Sequence, residues 1–219
     1  MDERATTLLK RGLFHQHPPL RRECVPWSLQ KVLDLLQSRP FTQPSTSLHS
    51  LKKSLFLTAL ASGLRASQLR ALTRFPQWTS FADDLSSVSL APSPHFLAKN
   101  EREDHRLQPV VVPAWLVQGR HHSLCPVAAL KAYLDASSEL PPHFLFSLEG
   151  GRHLSARRIS TRLKQLIEEA EPGSFPRAHD IRGAASSLAF LRTHSVSRVT
   201  ERGQWSSSRS FVTRYLSHA

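Results

Sequence analysis

The chain of 219 residues carries 29 Lys and Arg against 17 Asp and Glu, a net charge of +12 before its 12 histidines are counted, with a sequence pI near 10.8. Hydrophobic residues make up 40% of it, enough for a packed core, which excludes wholesale disorder and leaves a polyanion as the first partner to expect. No stretch approaches the roughly 20 apolar residues of a bilayer span, and two cysteines, Cys24 and Cys125, are too few for a disulfide scaffold or a four-thiolate zinc site.

The N-terminus, Met1-Asp2-Glu3-Arg4, is charged at once and lacks the apolar segment of a signal peptide, so a reducing, intracellular compartment is expected. Residues 1–26, with Pro18-Pro19 and Arg21-Arg22, read as an arm or linker. Ser28 is placed to cap a helix that carries Leu29, Val32, Leu33 and Leu36 on one face. A Pro/Ser/Thr connector at 40–46 leads to a second helix, about Leu48–Ser62, stopped by Gly63. A short helix at about Ser67–Leu72 follows. Residues 86–91 and 107–112 are predicted strands of a small sheet, with a polar segment around Lys99-Asn100-Glu101-Arg102 between them. Pro126 opens a helix to about Ala136. Phe144-Leu145-Phe146 is a short apolar strand or a buried turn, and helices are predicted over about 155–170, 178–192, 195–202 and 207–217. The pattern predicts a mostly α fold with a small antiparallel β-sheet, an α+β class, without internal repeats.

The charge is unevenly placed. Residues 151–219 hold twelve Lys or Arg and five Asp or Glu, so +7 of the +12 falls in the last 69 positions. A merely solvated surface would spread it more evenly, which directs attention to the C-terminal third.

Three stretches carry chemistry. In Ala61-Ser62-Gly63-Leu64-Arg65-Ala66-Ser67-Gln68, Arg65 follows a glycine at a break between two apolar helices, so its guanidinium stands on an elbow. Alone, this is as readily a surface arginine near a helix end. In Ala178-His179-Asp180-Ile181-Arg182, His179 and Arg182 are three apart and share a helix face. Two such donors suit a tetrahedral oxyanion, although a lone HxxR is common. Ala184, Ala185 and Leu188 continue as an apolar run that would seat this helix in a core. The third stretch contains Trp205 and then Tyr215, ten residues later, in a basic amphipathic segment. Nearby positive charge favours phenolate and would make Tyr215 a nucleophile toward phosphorus, where a tyrosine of a helix face is the bland alternative.

Taken in order, the segments Ala59–Leu72, His179–Arg182 and Trp205–Tyr215, with a lysine between the two strands, resemble the catalytic domain of the tyrosine recombinases (phage integrase type) over about residues 27–217. Finer features resemble the recombinases of DIRS-type retroelements: the Pro-Pro arm leading to Trp27, Phe96-Leu97-Ala98-Lys99, Leu124–Leu130 and Ala178–Ala184. The resemblance implies that Tyr215 attacks a scissile phosphodiester of double-stranded DNA and forms a 3′-phosphotyrosyl link. Arg65 and Arg182 would hold the non-bridging oxygens. Lys99 would protonate the leaving oxygen, His179 assist proton transfer, and Trp205 pack and donate its indole N–H. No metal and no cofactor would be needed, because the bond energy is kept in the covalent link.

The sequence departs from the family pattern at Gln68, where an acidic residue is usual, and at Gly183, where many members carry histidine. Arg102, His105 and Arg106 share the segment of Lys99. The resemblance assigns 27–219 to the catalytic domain, with the N-terminal clamp domain of most relatives absent or encoded elsewhere. It implies self-association on DNA as a dimer or tetramer, and a nuclear location in a eukaryote or a cytoplasmic one in a bacterium. Two other readings share these residues: a non-catalytic DNA-binding remnant of such an element, and topoisomerase-like nicking and closing. A membrane-surface role would need a basic amphipathic helix with bulky apolar anchors, and the 155–170 segment ends on Glu168-Glu169. His121-His122 and His15/His17 lack a completing thiolate or carboxylate and read as surface histidines.

Overall fold

A computed structural model describes residues 27–42, 47–98 and 107–203. Among these are seven α-helices and two small antiparallel sheets. Helix α1 (Leu29–Gln37) starts where Ser28 Oγ accepts the Lys31 N–H, and it buries Val32 and Leu36. Helix α2 (Ser47–Ser62) is buried along most of its length through Leu51, Leu55, Phe56, Leu57 and Ala59. A helix buried on most of its sides belongs at the centre of a domain. It packs against α4 (Pro126–Ala136), α5 (Ala156–Ala170) and α6 (Ala178–Thr193), so it carries the core on which the other elements are hung. Lys53 extends from α2 to donate to the carbonyls of Leu36 in the last turn of α1 (3.0 Å) and of Phe41 beyond it (3.4 Å), and burial pulls its pKa down.

Helix α3 is Ala66–Ala71, one residue ahead of the predicted start, with Arg65 as its N-cap. The predicted strands are β2 (Ser87–Leu90) and β3 (Val110–Pro113), paired antiparallel with Val88 opposite Val112 and Leu90 opposite Val110. These four side chains form the buried face. Two features were not expected from the sequence. A third strand, β1 (Thr79–Phe81), pairs with β2, and a tight hairpin joins β4 (Leu116–Val117) to β5 (Arg120–His121). That hairpin turns through Gln118 and Gly119, both at positive φ, as a two-residue turn between twisted strands requires. The Trp115 and His122 rings stack at 3.8 Å across its base. The buried Cys125 thiol there accepts the Trp115 N–H (3.3 Å) and lies 3.2 Å from His121 Nδ1.

Helix α4 begins at Pro126 and ends at Ala136, as predicted. Phe144-Leu145-Phe146 is a buried turn rather than a strand: the Leu145 N–H donates to Leu72 O, and Tyr133 hydrogen-bonds both main-chain groups of Ser147. Arg74 binds the same region through Ser137 O, Phe144 O and the Tyr133 hydroxyl. A turn at Glu149–Gly151, with Gly150 and Gly151 at positive φ, leads into α5, and α7 (Val196–Arg202) closes the described chain.

One packing expectation needs correction. Helix α6 is seated by Ile181, Arg182, Gly183 and Ser186, whereas Ala184 and Ala185 are half-buried and Leu188 is exposed. Only the first half of the helix lies over α2-facing core, so the apolar run does not extend the seat toward its C-terminal end. The predicted arm (1–26), the segment with Lys99 and the 207–217 helix lie outside the described residues. Among the described residues no helix is long and apolar enough to cross a membrane.

Candidate active site and nucleic-acid interface

The elbow is built by Gly63. Helix α2 ends as Gly63 takes φ +66 and donates its N–H to Ala59 O (3.0 Å), the left-handed stop that glycine adopts without a Cβ penalty. Two residues on, Arg65 is extended (φ −75, ψ 158) and opens α3. Gln68, buried at 3% exposure, turns its side-chain oxygen back to accept the Arg65 N–H at 2.8 Å. An amide oxygen accepts this bond with the geometry of a carboxylate, so Gln68 fixes the backbone of Arg65 without adding charge. The Arg65 side chain is half-buried.

Helix α6 brings the second motif. Its first turn is capped by Asp180, whose carboxylate accepts the Arg177 N–H (2.7 Å). His179 is exposed in that turn. Arg182, one turn later, is 3% exposed. Its Nη1 donates to Gly63 O and its Nη2 to Gly203 O. The structure therefore brings Arg182 onto the elbow that carries Arg65, from 117 residues away in sequence. Lys99, Trp205 and Tyr215 lie outside the described residues. Lys99 falls in the connection between the paired strands β2 and β3, and Trp205 follows Gly203 by two positions.

A second feature lies on α5. Ser155 caps the helix by accepting the Arg158 N–H (3.2 Å), and Ile159, Leu163, Leu166 and Ile167 form its buried stripe. The remaining face, with Arg152 ahead of the helix, lines an open groove of about 530 Å³ through Arg157, Arg158, Thr161 and Arg162, and among the described residues no carboxylate lines it. Four guanidinium groups gathered along one groove suit a row of phosphates. Beside α5, Phe144 stacks on His153 at 4.6 Å and has Arg70 of α3 over its ring at 5.9 Å. The charge count of the last third pointed to this region, and the signal for the groove was the alternation of arginines with Ile159, Leu163 and Leu166 at helical spacing.

The fold is that of the catalytic domains of tyrosine recombinases. The chain is similar to XerH site-specific recombinase bound to palindromic difH substrate in a post-cleavage complex (TM-score 0.62, 15% identity, 87% of this chain and 50% of that one). It is also similar to the Tn1549 transposon integrase in complex with transposon right end DNA (TM-score 0.61, 13% identity, 93% and 65%) and to XerA recombinase (0.56, 16%, 95% and 66%). The chain thus spans about half the length of the XerH chain. No protein-family model and no curated protein sequence matches it.

Proposed function

We propose that this chain is the catalytic domain of a tyrosine recombinase that cuts and rejoins DNA during site-specific recombination or integration of a mobile element. The observation that carries this reading is the contact of Arg182 with the Gly63 carbonyl, which joins the two arginine motifs within a recombinase catalytic fold. In the proposed reaction the Tyr215 phenol gives up its proton to solvent, with His179 assisting, as its oxygen attacks the scissile phosphorus. The bond to the 5′ oxygen breaks, that oxygen leaves with a proton supplied by Lys99, and the 3′ phosphate is held on Tyr215. Attack by a 5′-hydroxyl reverses the step and frees the tyrosine, so neither metal nor nucleotide enters the balance. Arg65 and Arg182 stabilise the charge that grows on the non-bridging oxygens, His179 assists the proton transfers, and Trp205 donates its indole N–H.

The groove of α5 supports a duplex as the ligand, since its four arginines can neutralise consecutive backbone phosphates. In this reading the chain self-associates on DNA, and the resemblance of its segments to DIRS-type recombinases supports a role in a retroelement, in the nucleus where the host is a eukaryote. The decisive experiment is incubation with nicked suicide duplexes. A covalent protein–DNA adduct is expected from the wild type and none from Tyr215→Phe; adduct at equal yield from both would remove Tyr215 from the role.

The same groove favours a second reading, a DNA-binding remnant without catalysis, because it needs no contribution from Tyr215. Salt-sensitive duplex binding with no adduct from the wild type would decide for it. Supercoil relaxation without strand exchange would instead indicate topoisomerase-like nicking and closing.

A further inference from the structure

Arg182 closes two helices at once. Gly63 is the residue at which α2 stops, and Gly203 caps α7, its N–H bonded to Val199 O at 2.9 Å. The final carbonyls of a helix lack partners within it and carry the negative end of its dipole, so a cation set between two such ends satisfies both. A guanidinium can do this because its donors diverge in a fixed plane; a lysine ammonium on a flexible stem offers no such fork.

Chain connectivity gives the clasp its meaning. Gly63 stands two residues ahead of Arg65, and Gly203 stands two ahead of Trp205 and twelve ahead of Tyr215. We propose that Arg182 is a positioning residue as well as a phosphate ligand: it pins the exit of α7, and with it the chain leading to Trp205 and Tyr215, against the elbow of Arg65. The kinetic part of this proposal rests on Tyr215 being the nucleophile. The clasp itself is a property of the DNA-free chain. Its effect on rate comes through the placement of a reacting group, to which effective concentration is steeply sensitive.

Two variants of the whole chain separate the clasp from charge and from folding. Arg182→Lys keeps the cation and loses the fork. Gln204→Pro leaves Arg182 intact, but a proline disfavours the ψ of −3° that Gly203 adopts, driving it toward extended backbone and swinging its carbonyl away. Gln204→Ala is the control. In amide hydrogen exchange without DNA, both test variants are expected to raise exchange about tenfold or more in peptides over 60–66 and 198–210, with α4 unchanged. Wild-type exchange in those peptides in both variants would overturn the proposal, and Gln204→Pro alone decides this arm if Arg182→Lys does not fold.

In single-turnover cleavage of a nicked suicide duplex, Gln204→Pro is expected to keep the duplex Kd within about twofold while its cleavage rate falls about tenfold or more. Affinity, rate and Tm falling together would mark a purely structural role and overturn positioning. A wild type that fails to cleave would sink the assignment of Tyr215, while the exchange measurement still decides the clasp.

Discussion

The Tyr133 hydroxyl serves three partners from one buried oxygen: it donates to Ser147 O and accepts from the Ser147 N–H and from Arg74 Nη2. Tyr133→Phe keeps the ring and leaves these groups short of a partner, so it should lower stability by about 1–3 kcal/mol in urea unfolding. A shift near zero would mean that water replaces the phenol. At Gly63 a Cβ would meet nothing within 4 Å, so only the φ of +66 resists a side chain. Gly63→Ala should therefore cost about 1–2 kcal/mol through backbone strain alone, and a larger loss in thermal unfolding would point to displacement of Arg182 as well. At the proposed active site, Arg65→Ala should slow cleavage by about 10²–10³ while the duplex Kd changes little, because one of several phosphate donors is lost. Unchanged single-turnover cleavage would remove Arg65 from the site.

At the scale of elements, helices with a start signal or strong periodicity are readable: the helix that Pro126 opens ends at Ala136, as expected, and the periodic segment expected over about 155–170 is Ala156–Ala170. The short β1 and the β4–β5 hairpin are not, because strands of two or three residues hold too few positions for an alternation to show. The site divides in the same way. Arg65, His179 and Arg182 could be singled out by motif, whereas the partners of Arg182 are main-chain carbonyls, which no residue letter distinguishes. Gln68 shows the reverse: a departure from the family pattern in sequence becomes an ordinary cap in three dimensions, because the bond to the Arg65 N–H needs an oxygen and not a charge.

The α1–α5 junction gives a test at this scale. Glu171 accepts from Lys31 Nζ (2.6 Å) and from the Ser28 N–H (2.7 Å), and these bonds hold its pKa below the ordinary carboxylate value, the Lys31 bond most strongly. A depressed carboxyl pKa adds stability above the ordinary range and loses it as pH falls through the depressed value. The Tm difference between wild type and Glu171→Gln should accordingly be present near neutrality and vanish in acid. A difference that persists at low pH would show that the ion pair is not its origin.

For the whole molecule, part of the +12 sits on a few guanidinium groups proposed to face one phosphate and part on the arginines of α5 and the neighbouring Arg152. These act differently on binding. Replacing Arg157, Arg158 and Arg162 by Gln should weaken duplex affinity for every sequence tested. Each arginine that contacts a phosphate should flatten the slope of log K against log salt by about 0.9 on removal. An unchanged slope would place the duplex on another face.

The bonds from Glu171 to Ser28 and Lys31 also fix an address. They hold the start of α1 at the far end of α5 from Ser155, and fifteen helical residues span about 22 Å. Any module fused ahead of Trp27 is therefore delivered some two helical widths from the arginine-bearing first turn of α5. A short rigid linker at that junction would set the reach of such a graft along the duplex, and an insertion there would lengthen it without disturbing the core.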